Sequence, residues 1–124
     1  MNIQKSAEDY LEQILMIREQ KGVVRSIDIA AGLGVTKPSV SIAMKRLREN
    51  GYIVMGRDNL ITLTEPGYGI ASKVYDRHKT LTRFLQMLGV RDETAREDAC
   101  RLEHDISQES YEALLRYLNG QKKT

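Results

Sequence analysis

The spacing of apolar residues along the chain predicts mostly helices, beginning with residues 6–22, SAEDYLEQILMIREQKG. Apolar side chains recur there every three or four positions, which is the period of an amphipathic helix. Ser6 is the predicted N-cap and Gly22 the predicted end. Asp9 and Glu12 stand three residues apart outside the apolar stripe. The first helix is therefore expected to carry two neighbouring carboxylates on a polar stripe.

Two shorter helices are predicted next, joined by a glycine-containing turn. The first covers residues 26–34, SIDIAAGLG, with Ser26 as its cap and Gly32 and Gly34 as breakers. The second follows the cap residue Thr36 and runs over KPSVSIAMKRLRENG. A helix pair of this kind, with a basic second helix, is typical of a helix-turn-helix.

The segment after this pair alternates between extended and turn-forming residues. YIVM and LITLT are short apolar or β-branched runs, and the intervening GRDN is rich in turn residues. A hairpin directly after a recognition helix is the wing of a winged-helix domain. The alternative is a plain three-helix domain followed by an unrelated hairpin.

Residues 65–124 return to helical periodicity throughout. A long helix is predicted over residues 65–89, a second over 93–106, and a third over 107–120 with Ser107 as cap and Gly120 as stop. The apolar stripe of the first is Ile70, Val74, Leu81, Leu85 and Leu88, and the packing face of the second is Ala95, Ala99, Leu102 and Ile106. The predicted fold is mainly α, with a winged helix-turn-helix and two-stranded wing in residues 1–64 and a helical dimerisation domain in residues 65–124.

The charge distribution indicates where this protein would meet DNA. The formal net charge is only +2, but residues 37–57 hold five basic residues and one acid, whereas residues 65–124 hold ten of each. The basic excess is therefore local, as a DNA-facing surface requires. The candidate DNA contacts are Thr36, Lys37, Pro38, Ser39, Ser41 and Lys45 near the start and outer face of the recognition helix, and Arg57 at the wing tip.

The cysteine content and hydropathy favour a cytoplasmic protein. One cysteine in 124 residues cannot form a disulfide within the monomer. We find no secretory h-region, and no apolar run approaches the roughly 18 residues of a membrane span. Both features predict a protein of the reducing cytoplasm without a membrane anchor.

The segment DACRLEHDIS carries the most reactive chemistry in the chain. Cys100, Glu103 and His104 are placed at i, i+3 and i+4, on one surface of a helix, and His78 lies in the apolar stripe of the preceding helix. Each of these residues alone is ordinary, as a buried thiol or a hydrogen-bonded core histidine. A catalytic interpretation lacks a glycine-rich phosphate loop or an oxyanion hole. A redox-sensing thiol at Cys100 and a divalent metal site remain as alternatives.

The order of these motifs resembles one known family. SAEDYLEQI, a winged helix-turn-helix, RHKTLTRFL and DACRLEHDIS follow one another as in the metal-dependent repressors of the diphtheria toxin repressor and manganese transport regulator family, in its two-domain form. The resemblance covers nearly the whole chain. It implies no enzymatic activity, but a transcriptional repressor that senses Mn²⁺ or Fe²⁺, with Zn²⁺ or Co²⁺ as in vitro substitutes, and that controls metal-homeostasis genes.

The resemblance also implies a set of metal ligands and a set of partners. The family's ligand positions correspond to Asp9, Glu12, His78, Cys100, Glu103 and His104. Asp at the first position is the manganese-type residue, whereas CRLEH is the iron-type motif, and Thr82 and Arg96 replace two ligands of the iron-type ancillary site. Iron-type members carry Gln at the position of Ile42, so their operator sequence does not transfer. The implied partners are a second copy of the chain and double-stranded DNA with an inverted-repeat operator.

Overall fold

The computed structural model describes residues 5–122 and shows six helices and one hairpin in that range. The elements are α1 Lys5–Lys21, α2 Ser26–Leu33, α3 Lys37–Glu49, β1 Ile53–Met55, β2 Ile61–Leu63, α4 Glu65–Met87, α5 Asp92–Asp105 and α6 Gln108–Lys122. They form two compact units, Met1–Lys73 and Val74–Thr124, and α4 contributes residues to both. No helix in the described range is long and apolar enough to cross a membrane.

The first unit is a three-helix core closed by the hairpin, which confirms the predicted winged helix-turn-helix. α1 buries Leu11, Ile14, Leu15 and Ile17, α2 buries Ile29, and α3 buries Val40, Met44 and Leu47. The turn between α2 and α3 requires a left-handed residue, and Gly34 supplies it at φ 67°. Thr36 then caps α3, because its Oγ1 accepts the Ser39 backbone N–H at 3.2 Å. Both features fix the direction in which α3 leaves the turn.

Three predicted helix boundaries in this unit are wrong. Ser6 lies inside α1, which already includes Lys5. Ser26 is the first residue of α2 rather than its cap, because the cap position is Arg25, whose backbone N–H donates to the Asp28 carboxylate at 3.0 Å. Gly32 does not break α2 and lies within it. The apolar periodicity therefore located the helices well, while the choice among neighbouring cap residues depended on contacts that the pattern does not contain.

The wing is an antiparallel pair in which Ile53 faces Leu63 and Met55 faces Ile61. Its turn has two left-handed residues, Asp58 at φ 43° and Asn59 at φ 59°, as the residue types at these positions allow. The hairpin is anchored to the helices because Ile61 donates its backbone N–H to the Val24 carbonyl at 2.8 Å. Ile53 and Ile61 are both 2% exposed, so the wing shares the helical core.

The start of α4 packs closely against the chain that enters the wing. Thr64 donates its hydroxyl to the Gly51 carbonyl at 2.6 Å and accepts the Gly67 backbone N–H at 3.2 Å. A Cβ on Gly67 would clash with the Tyr52 carbonyl, coming within 2.9 Å of its carbon. Only glycine allows this approach of α4 to the backbone of Tyr52.

The second unit consists of the rest of α4 with α5 and α6. Its buried apolar side chains are Val74, Leu81, Ala95, Ala99, Tyr111 and Leu118. Ser107 caps α6 as predicted, because its Oγ accepts the Ser110 backbone N–H at 3.1 Å. Gly120 was the wrong stop, since α6 continues to Lys122. Residues 123–124, which follow α6, lie outside the described residues.

Two apolar residues of the predicted stripe and packing face are exposed in the single chain. Leu102 is 44% exposed, and Leu88, which follows the last residue of α4, is 65% exposed. Glu103 takes the inward position on α5 that the apolar pattern assigned to Leu102, and it is 1% exposed. A buried carboxylate at this position requires polar partners.

Candidate metal centre and nucleic-acid interface

The predicted DNA-contacting residues of α3 all lie on the surface. Thr36, Lys37, Pro38, Ser39, Ser41 and Lys45 are exposed at the start and outer side of the helix. Thr36 and Ser39 are also joined by a hydroxyl hydrogen bond of 2.8 Å, so the capping role and an exposed hydroxyl pair coexist. Arg57 is exposed in the turn of the wing. The geometry of the first unit thus presents a basic helix and a basic wing tip to solvent.

The second unit brings three of the predicted metal ligands together. The His78 Nδ1 of α4 lies 2.9 Å from the Glu103 Oε1 of α5. The His104 Nε2 lies 3.7 Å from the other carboxylate oxygen, Glu103 Oε2. The side chains of Glu103 and His104 are 0% and 3% exposed, and that of His78 is 17% exposed. Two imidazoles around one buried carboxylate form a donor set that suits a divalent transition ion.

Arg77 fixes the backbone of this cluster from the residue next to His78. Arg77 is 9% exposed, and its Nη1 donates to the carbonyls of Glu103 at 3.3 Å and Ile106 at 2.8 Å. Its Nη2 donates to the Gln108 Oε1 at 2.9 Å. α4 therefore contacts Glu103 twice, through His78 at the carboxylate and through Arg77 at the main chain.

Sequence reasoning missed Arg77, although the pattern contained a signal for it. Arg77 follows Val74 by three residues and precedes Leu81 by four, so it occupies the same buried stripe. An arginine in an apolar stripe requires a set of acceptors. The carbonyls at the C-terminal end of α5, which lack partners inside the helix, are such acceptors.

Two more proposed ligands lie on α1 of the first unit. Asp9 is partly exposed, whereas Glu12 is buried at 6% exposure. Burial of a carboxylate is costly unless polar partners compensate for its lost hydration, so Glu12 is a candidate functional group. The remaining proposed ligand, Cys100, is exposed on α5, one turn before Glu103 and His104.

Comparison with known proteins assigns a class to both units. Residues 2–59 match the family model described as iron dependent repressor, N-terminal DNA binding domain. Residues 64–123 match the model described as iron dependent repressor, metal binding and dimerisation domain. The fold and the residues above thus define a metal-dependent DNA-binding regulator of transcription.

Relatives and a solved structure agree with this class. Over 110 residues the chain is 39% identical to the transcriptional regulator MntR of Salmonella typhimurium, covering 89% of this chain and 70% of that protein. It is 40% identical over 112 residues to an uncharacterised HTH-type transcriptional regulator of Methanocaldococcus jannaschii, covering 89% and 90%. A manganese-dependent transcriptional repressor solved with manganese superposes with a TM-score of 0.83 at 30% identity, covering 91% of this chain.

The chain belongs to the iron-dependent repressor family, which confirms the resemblance stated from the sequence motifs. It spans about half of the length of the solved manganese-dependent repressor, 52% of that chain.

Proposed function

We propose that this protein represses metal-homeostasis genes by binding operator DNA when it is loaded with Mn²⁺ or Fe²⁺. The observation that carries the proposal is the buried carboxylate of Glu103, with His78 at 2.9 Å on one oxygen and His104 at 3.7 Å from the other. Imidazole and carboxylate donors bind Mn²⁺ and Fe²⁺, and Zn²⁺ or Co²⁺ would bind the same donors in vitro. The similarity to MntR and to a repressor solved with manganese supports the same assignment.

The proposed ligand set is Asp9, Glu12, His78, Cys100, Glu103 and His104. Six side-chain donors exceed what one ion needs with its waters, so the set has room for two ions. A bound ion would favour the conformation of the chain that fits DNA.

We assign one set of roles to each of the two predicted domains. Residues 1–64 bind DNA through α3 and the wing, and residues 65–124 bind metal and form a homodimer. The second unit exposes Met87, Leu88, Leu102 and Tyr117, each at 44% or more, and a second copy of the chain is the proposed cover for such apolar side chains. A two-fold dimer reads an inverted repeat with half-sites one helical turn, or a multiple of it, apart. We assign no catalytic activity to the chain and place it in the cytoplasm.

The proposal is tested by DNA binding under reducing, anaerobic conditions with and without Mn²⁺, Fe²⁺ and Zn²⁺. DNA that this protein enriches from a randomised duplex pool serves as the probe, and fluorescence anisotropy gives the affinity. We expect metal to raise the affinity at least tenfold, within the usual 5- to 150-fold range of allosteric coupling. Equal affinity with each metal and with a chelator would contradict the proposal.

The identity of the metal depends on Cys100. Asp9 and Glu12 are hard oxygen donors that suit Mn²⁺, whereas a Cys100 thiolate favours Fe²⁺, Co²⁺ or Zn²⁺. Cys100→Glu should shift activation of DNA binding toward Mn²⁺ and away from Fe²⁺. An unchanged activation series would show that the thiol does not bind the ion. If Cys100→Ser abolished the response while Asp9→Ala retained it, the thiol redox alternative would replace the metal sensor.

A further inference from the structure

The recognition helix carries an exposed isoleucine that its folding does not explain. Ile42 is 58% exposed, the largest exposed fraction among the large hydrophobic side chains in the described part of the first unit. It lies in the middle of α3, where Val40, Met44 and Leu47 form the buried side. Ile42 is two residues from both Val40 and Met44, which on a helix directs it roughly 160° away from each. It therefore occupies the centre of the outer face.

The residues around Ile42 are those of a DNA-binding surface. Ser39 and Lys45 lie three residues before and after it, Pro38 and Arg46 lie four residues before and after it, and all are exposed. Lysine, arginine and hydroxyl groups at the edges of such a face suit phosphates, which position a helix in the groove. The side chain at the centre of the face then lies nearest to the base edges.

An isoleucine at that place restricts what it can read. It has no donor or acceptor, so it gains nothing from the polar edges of guanine, cytosine or adenine. The apolar group that base pairs present in the major groove is the C5-methyl of thymine. Contact between the methyl and Ile42 removes two apolar surfaces from water, whereas a polar base edge at the same place would be desolvated without compensation.

We propose that Ile42 reads the C5-methyl group of a thymine in each half-site of the operator. This inference rests on the proposed function and names thymine as the base that the centre of α3 recognises in the operator. The selectivity is steric and apolar, so it is independent of the phosphate contacts made by Lys45 and its neighbours.

The test replaces thymine by uracil, which removes the methyl and leaves the pairing unchanged. DNA enriched by the Mn²⁺-loaded full chain from a randomised duplex pool is resynthesised with single thymine-to-uracil changes. At one thymine per half-site we expect about a fourfold loss of affinity, the equivalent of one buried methyl group, and about sixteenfold when both half-sites are changed. For Ile42→Ala, binding to the thymine DNA should be weaker and the uracil change at this position should have no further effect.

A matched control is available in the same unit. Ile27 on α2 is 57% exposed, so Ile27→Ala removes a comparable exposed side chain and should keep the full uracil sensitivity. Unchanged affinity for every uracil-substituted duplex, or an Ile42→Ala variant with the full uracil sensitivity of the parent, would overturn the inference while the enriched DNA is still bound. If no sequence is enriched at all, the proposed function fails together with the inference.

Discussion

Replacement of Arg77 by methionine should destabilise the second unit far more than loss of a surface arginine. Arg77 makes three hydrogen bonds from its buried guanidinium, at 2.8, 2.9 and 3.3 Å, and lies over the Tyr111 ring at 5.3 Å. A hydrogen bond to a charged group contributes about 1.5–3 kcal/mol. Methionine keeps much of the apolar stem and removes the cost of burying the charge. We therefore expect a net loss of about 3 kcal/mol in the free energy of unfolding.

Arg101→Met is the matched control, since it removes the same charge from α5. Arg101 pairs with Asp98 at 3.5 Å, but its side chain is 74% exposed, so the loss should stay within about 0.5 kcal/mol. The assay is urea unfolding of the metal-free protein, followed by circular dichroism in a chelating buffer. A difference between the two variants of less than about 1 kcal/mol would refute the assignment of Arg77 as a structural support.

Arg77→Met should also weaken metal binding, because it releases the Glu103 carbonyl and with it the position of the carboxylate. Loss of an outer-shell partner typically costs about 10- to 100-fold in metal affinity. Competition with a fluorescent chelator at a temperature where the variant is folded measures this effect. Parent-like affinity for Mn²⁺ would show that Arg77 is not needed to hold Glu103 in place.

Three further predictions concern the first unit. Gly67→Ala should lower the free energy of unfolding by more than about 2 kcal/mol, because the added Cβ meets the backbone of Tyr52. Gly69→Ala is the control, since its Cβ has open space around it, and it should raise the free energy of unfolding by about 0.5–1 kcal/mol. Urea unfolding measures both effects. Lys45→Ala should weaken binding to all DNA sequences and reduce the salt slope by about one unit; an unchanged slope would remove Lys45 from the interface. The Lys21 ammonium and the Arg25 backbone N–H lower the pKa of Asp28 below its usual value of 3.8. The charged carboxylate therefore stabilises the folded protein at a pH above 3.8, and this stability should be lost as the pH falls through the lower pKa of the folded state. Asp28→Asn should therefore differ most from the parent at neutral pH, and a difference independent of pH would contradict this.

Much of the architecture could be predicted because its signals are local. The 3.6-residue period together with cap and stop residues predicted the six helices of the described range, and the turn residues between YIVM and LITLT predicted the wing that the structure confirms. The wrong cap at Ser26 has a local cause, because the cap position depends on which neighbouring group makes the terminal hydrogen bond, and residue type alone does not decide this.

The residue types of the candidate site could be predicted from the sequence, but the contacts that hold these residues in place could not. The spacing of Glu103 and His104 and the apolar setting of His78 selected residues that the structure brings together. The inward positions of Glu103 and Arg77 were missed, because a strictly apolar criterion assigns buried positions to residues such as Leu102. Burial of a carboxylate is tolerated where polar partners compensate for its lost hydration, and the partners that α4 supplies to Glu103 are distant in the sequence.

The measurement that most directly tests the central claim is the DNA affinity as a function of Mn²⁺ concentration for the parent and two glutamate variants. Glu103→Gln keeps the shape of the buried side chain but removes its charge, whereas Glu97→Gln makes the same change at an exposed position on α5. We expect Mn²⁺ to raise the DNA affinity of the parent and of Glu97→Gln at least tenfold and to leave Glu103→Gln at the metal-free level. Equal activation of all three proteins by Mn²⁺ would contradict the central claim.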